Sequence, residues 1–555
     1  MNLSIEDDRI RIEDQGIGLL KLKAQITERI GNLLHSGKGF MTVPIATLPL
    51  ISDLIDTNKI PSEVASLLSL FNDHEKARSR ALSIIENDDI KLNSTKWSTI
   101  LDPAQATAVA AMITSGLLGL CLFDEQGSGK TVMTIAAFDL LREANEIDSM
   151  IVVCPKSMIA EWPKDINRFL GSAYEVVVAE GDRAQKYGAT QKNFDVLVTN
   201  YEGIGTILVS LLATTKRYLL AVDESYYLKN EDAVRSATIK KLRMKSHKCF
   251  VLCGTPAPNS AHDLVNQFNL ADLGYTFGGF KKKKKPEDDW DKIASLVDTR
   301  GLFIRRLKPQ ILQHVPEKNF HVIRVELAGK QALMYEKARH ELELELRTLS
   351  NETFRKHLTT YFQRRATLLQ ICTCPGVLDP TITDIPGKIP VLDDLLHNLI
   401  SNGRKVVLWS FYKKSLEEVF ARYACYNPVK VDGSTSTTAR REAVTLFQTD
   451  PNTMLFIGNP AAAGAGITLH ASYDAIYLSY SNQAAHYLQS LDRIHRRGQV
   501  SDLVNYYLLI CKNTIEETEV LRLRGKELNQ HNLLGDHIPW PTSLDDALQE
   551  LTGHE

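Results

Sequence analysis

Cysteine is scarce in this chain, with eight in 555 residues and no CxxC pair. Structural zinc sites need two such pairs at set spacing, so Cys372 and Cys374 are read as small core residues. No apolar run reaches the ~18 residues that a membrane-spanning helix requires. The opening stretch MNLSIEDDRIRIED also lacks the basic-then-apolar plan of a signal peptide. An intracellular protein without membrane spans is expected. No cluster of acids and histidines suits a two-metal nuclease. The net charge is only −2, too balanced to announce a nucleic-acid partner by itself.

Apolar content of 44% and charged content of 24% are ordinary for a globular chain. The length suits roughly three or four domains of ~150 residues. Residues 1–95 read as a small α+β accessory region. Alternation over 2–13 predicts a hairpin, and helical spacing follows near 19–36 and 62–87. Across 96–275, short apolar strands alternate with helices, at 118–123, 150–154, 174–178, 196–199, 219–222 and 249–253. That is the pattern of a parallel α/β sheet, which places ligands at strand C-termini. Residues 276–387 are charged and helix-rich. A second α/β block spans 388–520, with strands at 405–409, 429–431, 454–457, 475–478 and 505–509. A polar helix and tail fill 521–555.

The stretch DEQGSGKT at 124–131 follows a buried-strand pattern and opens a helix. Such a turn cradles phosphate with backbone N–H groups. Gly127 and Gly129 allow the close approach, Lys130 supplies a charge, and Thr131 offers a hydroxyl to Mg²⁺. Asp124 stands where the strict phosphate-loop pattern has its first glycine. Asp223 and Glu224 end the strand YLLAV, where one acid can hold Mg²⁺ and the other polarise water. Gln105 precedes the loop and offers an amide to adenine. Thr255, in the turn CGTP, is a candidate link between nucleotide and polymer. In the second block, Arg493 and Arg496 lie three apart in QSLDRIHRRGQ, on one face of an expected helix. They are candidate arginine fingers, and Gly466 in GAGIT is a candidate phosphate contact. Two basic runs, RSATIKKLRMKSHK at 235–248 and five lysines at 281–285, are either solvated faces or phosphate contacts, as are Arg300, Arg305, Arg306 and Lys308.

These residues resemble the SWI/SNF-type ATPases of helicase superfamily 2. The matching stretches run in order: LDPAQ, DEQGSGKT, VVCPKSMIAEWPKDI, VTNYE, VDESYYLKN, LCGTPAPN, FIRRLK, VVLWSFY, VDGSTS, AGAGITL and QSLDRIHRRGQ. The resemblance implies two RecA-like parallel-sheet lobes with helical protrusions between them. It implies a DNA-dependent ATPase that uses ATP and Mg²⁺, with Lys130, Thr131, Asp223, Glu224, Arg493 and Arg496 as its core. Gln105 is then the adenine contact, and Thr255 and Gln489 the coupling residues. Lys156, Thr199, Ser410, Ser434 and Thr468 become contacts to the phosphates of double-stranded or branched DNA, without sequence preference. Tyr226 departs from the family's histidine, and Asn482-Gln483-Ala484 from its Trp-Asn-Pro. With no bromodomain-, chromodomain-, SANT- or RING-like segment, the chain is more similar to stand-alone bacterial or phage members, cytoplasmic rather than nuclear.

The leading expectation is a duplex-DNA translocase serving branch migration, annealing, fork remodelling or clearance of bound protein. Other readings are a strand-separating helicase, a motor subunit of a restriction or defence assembly whose partner binds residues 1–95, and a nucleotide-dependent clamp without turnover.

Overall fold

The computed structural model describes residues 2–552 except 7–8, 14–16, 31–32, 56–59, 88–91, 93, 229, 232, 258–259, 284–285, 312–315, 463–466, 481–483, 497 and 529–542. Its contacts divide the chain into two units, the first running through Ile311. No helix among the described residues is long and apolar enough to cross a membrane.

The first unit begins with β1 (Asn2–Glu6) and β2 (Arg9–Glu13), the antiparallel hairpin expected from alternation. Two further strands, β3 (His35–Gly37) and β4 (Phe40–Pro44), complete a sheet of order β1-β2-β4-β3. The period of two turns Ile10, Ile12, Met41 and Val43 inward, onto Ile26 and Phe71 of helices Ile17–Ile30 and Ser62–Asn87. The accessory region is not a free-standing module. Leu118 and Tyr275 of the α/β portion share its core, and Arg78 donates to the carbonyls of Thr299 and Gly301. His74 accepts the Leu118 N–H at 3.2 Å and meets Tyr275 edge-on.

The remaining strands of this unit are β5 (Gly119–Leu122), β6 (Ser149–Cys154), β7 (Val176–Ala179), β8 (Val196–Asn200), β9 (Tyr218–Asp223), β10 (Lys248–Leu252) and β11 (Phe303–Ile304). They form an all-parallel sheet of order β11-β5-β10-β9-β6-β8-β7. Helices cover both faces, so β5, β6, β8, β9 and β10 are buried along their whole length and read as continuous apolar runs. Register decides where chemistry can occur: Leu252 lies opposite both Leu122 and Asp223. The turns that follow β5, β10 and β9 therefore emerge side by side.

The second unit carries β12 (Glu317–Val325), β13 (Val406–Trp409), β14 (Val429–Val431), β15 (Leu455–Gly458), β16 (Asp474–Tyr477) and β17 (Leu503–Cys511). Their order is β12-β17-β16-β13-β15-β14, again parallel. The segment read as helix-rich also supplies an edge strand to each sheet, β11 to the first and β12 to the second. Both were illegible for a physical reason. β11 is two residues long, and β12 (EKNFHVIRV) is only half-buried, so it lacks a continuous apolar run.

Within the segment expected as a polar helix and a loose tail, helix Leu544–Thr552 is anchored. Its Glu550 accepts from the fully buried Arg365 at 2.7 Å and from Tyr361 Oη at 2.6 Å. Arg365 also pairs with Glu519 at 2.7 Å. Glu550→Gln should destabilise this unit by ~2 kcal/mol in denaturant melts. The loss stays below the ~3–5 kcal/mol of a fully orphaned buried charge because Glu519 remains.

His74 generates a pH prediction. Burial, then the positive charges of Arg243, Arg78 and Lys248, push its imidazole down to about 3. The unfolded chain takes up that proton below its ordinary value near 6.5, while the folded chain does not. The contribution of neutral His74 is thus complete above pH 6.5 and is lost as pH falls toward 3, by up to ~1.4 kcal/mol per unit. Between pH 6.5 and 5, His74→Asn, which keeps an acceptor but does not titrate, should lose less stability than wild type in denaturant melts.

Candidate active site

The turn after β5 runs into helix Lys130–Glu143, whose N-cap is Gly129. Gly127 and Gly129 have φ of +86° and +90°. A Cβ at Gly129 would lie 2.3 Å from Gln105 Nε2, so both backbone angle and space require glycine there. Lys130 is buried, and its Nζ donates to the carbonyls of Asp124 at 2.7 Å and Glu125 at 3.2 Å. Thr131 follows, half-buried, in the first helical turn. Gln105 serves a capping box with Asp102, and its Nε2 donates to Ser128 O at 2.8 Å. Its amide is engaged at both ends, so an adenine contact requires exchange of the Ser128 carbonyl.

β9 delivers the acid pair. Asp223 accepts from Trp162 Nε1 at 3.0 Å and from the Glu224 N–H at 2.9 Å, and its carbonyl accepts from Tyr201 Oη. Burial pushes the Asp223 carboxyl up; the Trp162 bond, the Lys130 charge and the Glu224 N–H oppose that rise. Lys130 and Asp223 thus share one electrostatic site. Glu224 adopts φ +53°, a left-handed conformation that a non-glycine residue holds only when its surroundings impose it. Its Oε1 accepts from Gln126 Nε2 at 2.5 Å, which ties it to the phosphate loop. Thr255 lies in the turn after β10, and Gly254 before it has no room for a Cβ, because Gln126 Cγ would be 2.7 Å away. Gln267 bridges the two turns, accepting from Ser225 Oγ and donating to Pro256 O, both at 2.6 Å.

The cradle fits a nucleotide phosphate with its cation. Ser128 Oγ and Thr255 Oγ1 are buried without a hydrogen-bond partner, and the Thr131 hydroxyl and Asp223 carboxylate are the oxygen donors that Mg²⁺ takes. Trp162, Gln126 and Gln267 escaped the sequence reading. Trp162 and Gln126 sit inside quoted motifs, but side-chain partners so far apart along the chain leave no spacing signal.

In the second unit, helix Ala484–Leu491 ends before both arginines, which lie in the turn that follows rather than on a helical face. They converge nevertheless. Arg493 Nη1 and Arg496 Nη1 donate to the same Ile467 carbonyl at 3.2 and 3.1 Å. Leu469 N–H returns a bond to Arg493 O at 2.9 Å. The pair therefore sits beside half-buried Thr468, while Gly466 lies outside the described residues. Gln489 is buried on the preceding helix.

The expected DNA contacts divide. Lys156 and Ser434 are exposed and Thr468 is half-buried. The Ser434 hydroxyl and N–H hold Asp432, and these bonds, with the nearby Lys430, pull its carboxyl down to about 2 against the cost of partial burial. Thr199 and Ser410 are corrected as side-chain contacts, since both are fully buried. Thr199 Oγ1 donates to Ala179 O, and Ser410 Oγ bonds Ser415 and Ser479. The basic runs divide as well. Lys240, Lys241 and Lys245 are exposed, but Arg243 and Lys248 are buried on backbone carbonyls. Lys281 and Lys283 are exposed, while Lys284 and Lys285 lie outside the described residues. Arg305, Arg306 and Lys308 turn inward onto the phosphate loop and its neighbours.

Two family descriptions match the chain: "SNF2-related domain" over residues 104–377 and "Helicase conserved C-terminal domain" over 387–498. The chain is 28% identical over 469 residues to the "ISWI chromatin-remodeling complex ATPase ISW1" of Saccharomyces cerevisiae, covering 78% of this chain and 41% of that protein. It is 26% identical over 415 residues to an "Uncharacterized ATP-dependent helicase" of Mycoplasma pneumoniae, covering 72% and 38%. The chain therefore spans less than half the length of these relatives. A solved structure titled "Sulfolobus solfataricus SWI2/SNF2 ATPase core in complex with dsDNA" is 21% identical with a TM-score of 0.36, covering 82% of this chain and 97% of that one. That likeness is too distant to carry geometry across.

Asp223 must be ionised to hold a cation, and Trp162 is the strongest influence opposing its protonation. Trp162→Phe should move the acidic limb of the ATP-hydrolysis pH profile to higher pH. An acidic limb unchanged beside wild type would remove Trp162 from this role.

Proposed function

Because the chain belongs to the SWI/SNF-type ATPase family of helicase superfamily 2, we propose that it is a DNA-dependent ATPase that moves along duplex DNA without separating its strands. The observation that carries this reading is the convergence of Lys130, Asp223, Glu224 and Thr255 on adjacent strand ends of one sheet. A second parallel unit presents Arg493 and Arg496 on one carbonyl.

ATP is the substrate. Its phosphates lie on the loop N–H groups and on Lys130, which gives up the Asp124 and Glu125 carbonyls to reach them. Thr131 and Asp223 would hold Mg²⁺, which would neutralise charge on the phosphate oxygens. Glu224, fixed by its backbone and by Gln126, orients and polarises the attacking water. Arg493 and Arg496 supply positive charge to the transferring phosphoryl group, and arginine fingers are worth ~10³–10⁵ in rate. Lys156, Ser434 and Thr468 contact backbone phosphate, which gives affinity that depends on salt and not on base sequence. Thr255 and Gln489 couple the nucleotide state to the DNA.

Steady-state hydrolysis without nucleic acid, and with single strand, duplex or forked duplex, tests the reading. Duplex or forked DNA should stimulate strongly, and Lys130→Ala and Arg496→Ala should each cut the stimulated rate by ~10³ or more. Stimulation by single strand alone would point instead to a strand-separating helicase. A wild-type rate indifferent to every DNA would contradict the proposal.

A further inference from the structure

The segment Phe303–Lys308 wraps the back of the phosphate loop, residue against residue. Cys121 N–H donates to Leu302 O at 3.1 Å, Phe123 N–H to Ile304 O at 2.7 Å and Glu125 N–H to Arg306 O at 3.0 Å, so the β11 ladder continues past its strand into the loop itself. Side chains then close the wrap. The Asp124 carboxylate, fully buried, accepts from Arg306 N at 2.8 Å, Nε at 3.2 Å and Nη2 at 2.5 Å. Arg306 Nη1 donates to Ala104 O, one residue from Gln105. Glu125 accepts from the Lys308 N–H at 2.9 Å, and the Lys308 ammonium, itself buried, lies 3.6 Å from the same carboxylate. Arg305 donates to the carbonyls of Phe123 and, more distantly, Gly254.

The two residues held in this way are the ones whose carbonyls receive Lys130 Nζ. Asp124 occupies the position of the loop's usual first glycine and has no left-handed φ there. What sets the entry of this loop is therefore not glycine freedom but a partly buried, forked ion pair, which has one geometry where a glycine turn has several.

We propose that Phe303–Lys308 is a positioning clamp for the phosphate loop, with Arg306 as its principal residue. Through Asp124 the clamp sets where Lys130 waits, and hence how tightly the site takes the phosphates of a nucleotide. Arg306 touches no reacting atom and acts through Asp124. The clamp lies near the end of the first unit, leading into the short helix Lys308–Ile311. The role as stated rests on the ATPase reading above, although nucleotide affinity tests it separately.

The test uses the full chain with Arg306→Ala, Arg306→Lys, Asp124→Asn and the double variant Asp124→Asn/Arg306→Ala. The readouts are KM and kcat for ATP, ADP binding by calorimetry, and Tm. Arg306→Ala should raise KM for ATP and weaken ADP by about tenfold or more, with a smaller fall in kcat per folded molecule. Arg306→Lys keeps the charge without the fork, so it should fall between the two even if the alanine variant folds poorly. The double variant should cost little more than either single change, as coupled partners do. A lower Tm with ADP affinity and KM held within about twofold of wild type in Arg306→Lys and Asp124→Asn would reduce the pair to a structural contact and overturn the proposal. Wild-type protein that binds ADP but never hydrolyses ATP would fail the ATPase reading while leaving the clamp to be judged on affinity.

Discussion

A buried ammonium and a buried carboxylate, Lys130 and Asp223, stand at the ends of β5 and β9, and neither is tolerable alone in the interior of an α/β sheet. Much of the first unit can be understood as the means of keeping both. The parallel register brings their turns together across β10. Trp162 and the Glu224 N–H meet the two oxygens of Asp223, and the carbonyls of Asp124 and Glu125 receive the Lys130 ammonium. The left-handed backbone at Glu224 is the conformational cost of this arrangement, of order 1–3 kcal/mol, held in place by its surroundings. Such a site is partly preorganised for a charged ligand, because its charges are already desolvated before a phosphate arrives, although Lys130 must exchange its carbonyl partners.

The periphery is tied to the same sheet. Helix Ser62–Asn87 reaches the start of β5 through neutral His74, so the accessory region bears on the strand that carries the phosphate loop. In the second unit the C-terminal helix is pinned by Glu550 to Arg365, and the buried Lys388–Glu516 pair joins helix Lys388–Ser401 to helix Ile515–Leu528. Both devices use charges satisfied in the interior, which impose a specific geometry more than they add stability.

Much of this was legible in the sequence. Strands buried on both faces announce themselves as apolar runs, so the inner strands of both sheets were placed closely, and strand-end motifs then located Lys130, Asp223, Glu224 and Thr255. Two edge strands, β11 and β12, were not legible, the first too short and the second too exposed to leave a periodic trace, whereas the edges β7 and β14 were. Basic character misled most. Arg305, Arg306 and Lys308 read as a solvated face or as phosphate contacts, yet they are spent on the carboxylates and carbonyls of the first unit itself. A charge run records composition, and only the fold says which way each side chain turns. Thr199 and Ser410 failed as side-chain contacts for a related reason, since a motif fixes a position in the chain but not the exposure of a hydroxyl.

The proposed movement along duplex DNA, powered by hydrolysis at this site, is measured most directly by displacement of a third strand from a duplex. With ATP and Mg²⁺, the protein should release a triplex-forming oligonucleotide from a duplex with a flanking loading site while the duplex strands stay paired. Lys130→Ala should release none. Hydrolysis stimulated by the same duplex without triplex release, or release accompanied by separation of the duplex strands, would contradict the account.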